Sequence, residues 1–164
     1  MNSLLVVSFR PLRAGDVPVL RRLLSSELGG TPYGDAMAPV FELALEGSST
    51  ESRVLVATAG DEVMGFILYG LIAGASGAGR LHVVVVTAAA RLSGIATRLV
   101  DAAAADLTAL GARLVVAELA DDPVLAPGLA LLRRSQFVEE ARIADYYRDG
   151  VDELILRREL GNRR

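Results

Sequence analysis

The chain has 164 residues, 52% hydrophobic and 23% charged, with a formal net charge of −3; this length suits one domain over residues 1–164, and the charge gives none of the clustered basic surface that nucleic-acid binders carry. With no Cys, disulfides, thiolate metal sites and Cys nucleophiles are excluded, and the single His, His82, argues against an imidazole metal site. Aromatics are only 5% and Trp is absent, so Ala, Val and Leu must form the core.

Residues 1–13, MNSLLVVSFRPLR, hold too short an apolar run for a signal-peptide core, and the expected location is the cytoplasm. Leu4 to Phe9 alternates as a first strand. Asp16 then reads as an N-cap with Pro18 in the first turn, and Leu20, Leu23 and Leu24 form that helix's buried stripe. Gly29-Gly30 ends it, and a loop, TPYGD, leads to a second helix over about Ala36 to Glu46, followed by a polar linker from Gly47. Arg53 to Thr58 and Val63 to Ala73 read as a hairpin. The uncharged run from Val63 to Gly79 is close to the length of a membrane span, but its five glycines and its strand formers favour a buried strand and a loop.

Leu81 to Thr87 is apolar on both faces and reads as a central strand. From Gly94 to Gly111, the positions Ile95, Leu99, Ala103, Leu107 and Leu110 recur at helical spacing. Arg113 to Leu119 is a further strand and Pro127 to Ser135 a short helix. Phe137 to Ile143 and Val151 to Arg158 form a last hairpin around Asp149-Gly150. The expected order is βααβββαβαββ, an α/β fold with a central mixed sheet.

Two glycine-rich stretches invite comparison. Gly74 to Arg80, GASGAGR, lacks the Lys followed by Ser or Thr that a P-loop needs, and it precedes a strand, so it reads as a hairpin loop. Arg91 to Thr97, RLSGIAT, joins a buried strand to a long helix. Amides at a helix start are unpaired, and the small residues Ser93, Gly94 and Ala96 let an anion approach them. An ordinary tight connection with a solvated Arg91 is the competing reading.

In its context, Arg91-Leu92-Ser93-Gly94-Ile95-Ala96 resembles the pyrophosphate signature of the GNAT superfamily of N-acetyltransferases: Gln or Arg, two residues, Gly, one residue, then Gly or Ala. FRPLRAGD resembles that family's opening strand and turn, RVLVATAGDEVMGFILYG its central hairpin, and ARIADYYRDGVDELILRREL the ending of a subset of small bacterial members. The resemblance covers nearly the whole chain. It implies the acyl-CoA N-acyltransferase fold, with the fourth strand splayed from the fifth, and acetyl-CoA as cofactor. Main-chain groups of Val84, Val85 and Val86 would meet pantetheine, and Arg91, Leu92, Ser93, Gly94, Ile95, Ala96 and Thr97 would hold the pyrophosphate. For the Val run, core packing is a second reading compatible with the first.

Direct attack by an amine requires it to be deprotonated, and its ordinary pKa is near 10.4. His82 is the first candidate base: LHVVVV resembles the strand of serotonin N-acetyltransferase that carries a catalytic His, and a purely structural His is the alternative. Glu118 is the second. The Tyr that many members use as general acid corresponds here to Leu132, and Gln136 replaces the Gly before Phe137. Tyr146 or Tyr147 could substitute, or could simply pack. An acidic residue common at the start of the fourth strand is here Arg80. Tyr33, Arg80 and Asp145 are expected to line the acceptor site, with Asp145, Asp149 and Asp152 otherwise a solvated turn. The implied activity is acetyl transfer to a primary amine of a small molecule or peptide. A non-catalytic acyl-CoA-binding domain is the alternative, and the family also allows a homodimer.

Overall fold

A computed structural model describes residues 6–47 and 52–161. Seven strands form one sheet in the order β1-β2-β3-β4-β5-β7-β6, where β1 is Val7–Pro11, β2 Ser52–Ala59, β3 Glu62–Leu71, β4 Ala78–Val86, β5 Leu114–Ala120, β6 Val138–Arg148 and β7 Val151–Glu159. Four helices accompany them: α1 Val17–Leu28, α2 Pro32–Leu45, α3 Ile95–Ala109 and α4 Ala126–Arg134. All neighbouring strands are antiparallel except β4 and β5. Among the described residues no helix is long and apolar enough to cross a membrane.

The element order follows the expectation, with shifts at several ends. Helix α2 begins at Pro32, because Thr31 caps it by accepting from the Gly34 amide at 3.1 Å and Pro fits the first turn; Tyr33 therefore lies on a helix rather than in a loop. Strand β4 begins at Ala78, so Arg80 belongs to a strand and not to the glycine-rich loop. Strand β1 starts at Val7, and Leu4 and Leu5 of the expected strand fall outside the described residues, as does the linker over 48–51. Asp16 does precede α1, but its carboxylate serves the turn before it. It accepts from the Arg13 amide at 2.8 Å and from both terminal nitrogens of Arg10 at 2.7 and 2.9 Å, which hold its pKa below the ordinary range.

Two apolar layers cover the sheet. On one face, Ile95, Leu99, Val100, Ala103 and Leu107 of α3 pack with Leu131 and Leu132 of α4 onto Ile67, Tyr69, Val115, Ala117, Leu154 and Leu156. On the other, Leu20, Leu23 and Leu24 of α1 and Phe41 of α2 cover Val54, Val56, Phe66, Leu68, Val83 and Val85. Each such aliphatic side chain gains about 1.5–3 kcal/mol on full burial, which is how a chain poor in aromatic residues holds its sheet.

Strand β4 changes phase midway. Tyr69 lies opposite Leu81 and Leu68 opposite Val83, so His82 is the extra residue of a β-bulge. Before it, Leu81 faces α3; after it, Val83 and Val85 face α1 and α2.

Candidate acyl-transfer site

The parallel pairing of β4 with β5 covers only Ala78–Leu81 against Leu114–Ala117. Beyond it β4 stays bound to β3 as far as Val86, while β5 stays bound to β7 as far as Ala120. A fork therefore opens between His82 on one arm and Glu118 on the other. The Thr87 amide donates to Met64 O on the β3 side at 2.9 Å. Main-chain groups alternate edges along an extended strand, so those of Val84 and Val86 face the fork and those of Val85 face β3.

Past Val86 the chain turns through Arg91 to Gly94 into α3. Leu92 and Gly94 have φ of 59° and 80°. A Cβ at Gly94 would meet no atom within 4 Å, so the space beyond it is open. The first amide to find a protein acceptor within α3 is that of Arg98, 3.0 Å from Gly94 O. Among the described residues the amides of Gly94, Ile95, Ala96 and Thr97 meet none, and no side chain caps the helix. Ser93 donates its hydroxyl to Ala90 O, and the Arg91 guanidinium pairs with Glu27 near the end of α1 at 2.5 Å.

On the opposite arm, Glu118 accepts from Arg80 at 3.0 Å. His82 is half-buried and, among the described residues, no hydrogen bond holds its ring; burial first, then the charge of Arg80, keep its pKa below the ordinary 6.5. It is neutral at pH 7 and free to accept a proton.

Around the β6–β7 hairpin, four residues, Ala144 to Tyr147, bulge out opposite Asp152 alone. Asp145, at φ 51°, accepts from the Gly150 amide at 2.6 Å and donates its own amide to Asp152 at 3.0 Å, so its carboxylate closes the turn. Tyr147 stacks edge-on against Tyr33 at 5.5 Å and against Tyr146 at 5.0 Å. Burial, then the nearby Glu153, push the Tyr147 pKa up to about 12. Tyr33 donates its hydroxyl to Asp122 at 2.8 Å, and Arg148 pairs with the same carboxylate. The Val124 amide, Arg148 and Tyr33 together hold the Asp122 pKa low.

The structure thus brings His82, Val84 and Val86 to the fork, with Arg91 to Thr97 at its outer end and Glu118 facing it. Tyr33, Tyr146 and Tyr147 form one ring stack. Leu132 is buried in the core beneath α4, and Gln136, standing where the resemblance expects Gly, keeps a glycine-like φ of 68°. Sequence reasoning missed Glu27, Asp122, Arg148 and Glu153. For Glu153 a signal existed, since it shares strand parity with Val151 and Ile155 and so sits at an inward position. For the others there was none, because their partners lie far away in sequence. Two hollows, one between α1 and α2 by Phe41 and one beside Tyr69 and Asp106, lie off the fork. Among the described residues no His, Asp and Glu cluster fits a metal ion.

These features are those of an acyl-CoA N-acyltransferase fold. A profile described as the acetyltransferase (GNAT) family matches residues 19–126, and the chain belongs to that family. A GNAT-family acetyltransferase from Desulfovibrio desulfuricans is 28% identical with a TM-score of 0.83, over 95% of this chain and 100% of that one. An acetyltransferase from Salmonella typhimurium, solved with its cofactor acetyl-CoA, has a TM-score of 0.73 at 15% identity, over 96% and 95% of the two chains. The Escherichia coli ribosomal-protein-S18-alanine N-acetyltransferase has a TM-score of 0.74 at 14% identity, over 97% of each. A search of curated proteins finds no match.

Proposed function

We propose that the chain is an acetyl-CoA-dependent N-acetyltransferase that passes an acetyl group to a primary amine of a small molecule or peptide by direct attack. The observation that carries this reading is a forked sheet whose open β4 edge leads straight into a turn with four unpaired amides. Acetyl-CoA, when bound, supplies the acetyl thioester. Its pantetheine amides suit the free main-chain groups of Val84 and Val86, and its pyrophosphate suits the amides of Gly94 to Thr97, with Arg91 as a side-chain aid. An unpaired N–H on the β4 edge is a ready donor for charge developing on a carbonyl oxygen.

His82 is the better base of the two candidates, since it is neutral and unpaired while Glu118 is engaged by Arg80. Tyr147 is a poor general acid: a phenol near 12 does not favourably protonate a thiolate of ordinary pKa near 8.5, which can leave without help. We assign Tyr147, with Tyr33 and Tyr146, to the acceptor side instead.

The test is a calorimetric titration of the whole chain with acetyl-CoA, followed by thiol release in the presence of a panel of primary amines. Saturable binding and amine-dependent release are expected. Binding without release by any amine would identify a non-catalytic acyl-CoA-binding domain, and absence of binding would overturn both readings.

A further inference from the structure

One carboxylate beside the fork has no cation. Glu153 is only 8% exposed, and among the described residues no ion pair reaches it. Its one side-chain hydrogen bond, from the Tyr147 hydroxyl, is 3.4 Å long, well beyond the usual O–H···O distance. Buried charges are ordinarily paired, and leaving one alone is costly. The neighbouring charges are already matched: Arg80 with Glu118, Arg148 with Asp122, and Arg142 with Glu139, Asp121 and Asp152.

The register places this carboxylate at the fork. Glu118 lies opposite Ile155 and Ala120 opposite Glu153, so Glu118 and Glu153 are diagonal neighbours on one face, three residues or about 10 Å along β5 from its last pair with β4. Leu154 and Leu156 take the other face against α3, which leaves Glu153 on the side where Tyr33 of α2 meets Tyr147.

We propose that Glu153 receives the acceptor as its ammonium, which gives up a proton to the base His82 before the nitrogen attacks, and that the acceptor is a primary alkylamine with an apolar or aromatic arm that lies against the rings of Tyr33, Tyr147 and Tyr146. The cation that the protein does not provide comes with the substrate, and the exposed rings of Tyr146 and Tyr147, 56% and 40% accessible and set edge to face, offer its arm an angled apolar corner. A carboxylate next to the amine is disfavoured, because it would lie against Glu153 and Glu118. This rests on the acetyl-transfer reading and narrows its acceptor.

The test uses the full chain, with phenethylamine as probe, and phenethyl alcohol and phenylalanine as its uncharged and carboxylated counterparts. Binding to the CoA-loaded protein is followed by calorimetry, and transfer by thiol release. Glu153→Gln is expected to weaken phenethylamine binding and raise its KM at least tenfold, with acetyl-CoA affinity unchanged within twofold. Phenylalanine should bind at least tenfold more weakly than phenethylamine, and phenethyl alcohol should bind weakly and equally to both proteins. Should Glu153→Gln fold poorly, Tyr147→Leu provides a second measurement: it should weaken phenethylamine more than butylamine. The assignment is overturned if acetyl-CoA binds normally while Glu153→Gln or Tyr147→Leu leaves phenethylamine affinity within twofold, or if phenylalanine binds as well as phenethylamine. Loss of acetyl-CoA binding by the unmodified chain would instead strike at the underlying reading.

Discussion

Gly94 and Arg91 stand in the same six-residue motif, yet they differ in what each can contribute. Gly94 sits at φ 80°, a region a β-branched residue all but never enters, and its missing Cβ keeps the approach to the helix amides open. Arg91 is half exposed and must leave Glu27 to reach an anion, so its net contribution is that of a surface pair, about 1 kcal/mol or roughly fivefold in Kd. Calorimetry with acetyl-CoA should therefore show a modest loss for Arg91→Ala and no measurable binding for Gly94→Val. His82 makes a pH-dependent prediction. The neutral ring is the base, and a lowered pKa keeps it neutral to more acidic pH. The ratio of wild-type to His82→Ala kcat, in which the ionisation of the acceptor cancels, should be about 100 at pH 7.5. It should fall as His82 becomes protonated, at a more acidic pH than an ordinary imidazole would show. A ratio near one throughout would remove His82 from the chemistry.

At the scale of elements, the close approach of β3 to β4 shapes the inner arm of the fork. A Cβ at Gly65 would lie 2.6 Å from Val85 O and 3.0 Å from Val86 Cα, so backbone, not only side chain, would have to shift. Gly65→Ala should cost about 2 kcal/mol as overpacking, read as a fall in Tm of about 4–8 °C, and should weaken acetyl-CoA binding because the displaced residues are those that line the fork. Much of this arrangement was legible in the sequence. The 3.6-residue spacing of Ile95, Leu99, Ala103 and Leu107 marked α3, and the uninterrupted valines marked a strand buried on both faces. The bulge at His82 was not legible: nothing in LHVVVV shows where the pairing slips, since the slip is decided by the packing of Leu81 against α3 and of Val83 against α1. The start of α2 could have been read from Thr31-Pro32, a cap followed by the residue best suited to a first turn. The ion pairs of Glu27 with Arg91 and of Asp122 with Arg148 join distant segments, and only the fold brings them together.

For the whole molecule, the seam between β4 and β5 is the weak join of the sheet. Four parallel residue pairs link β1–β4 to β5–β7, and beyond Leu81 the two halves part. The α3–α4 layer spans the seam on one face, as Leu99 and Leu107 share a core with Leu131, Leu154 and Leu156. On the other face α1 and α2 cover residues of β2, β3 and β4; among the described residues Tyr33 reaches across, to Asp122 and to the ring of Tyr147, and Arg80 of β4 pairs with Glu118 of β5. A ligand seated in the fork would supply contacts to both halves where the ladder lacks them. At a hundred times its Kd such a ligand stabilises the native state by about 2.7 kcal/mol, a rise in Tm of roughly 5–10 °C for a chain of this size. Amide hydrogen exchange should show where this stabilisation falls. With acetyl-CoA present, protection should increase at Val84, at Val86 and over Gly94 to Thr97, and on the far arm over Glu118 to Ala120, while β1 and the outer strand β6 change little. Protection confined to Gly94–Thr97 would mean that the pyrophosphate cradle binds without the fork being filled, and the two halves of the sheet would then be joined by protein contacts alone.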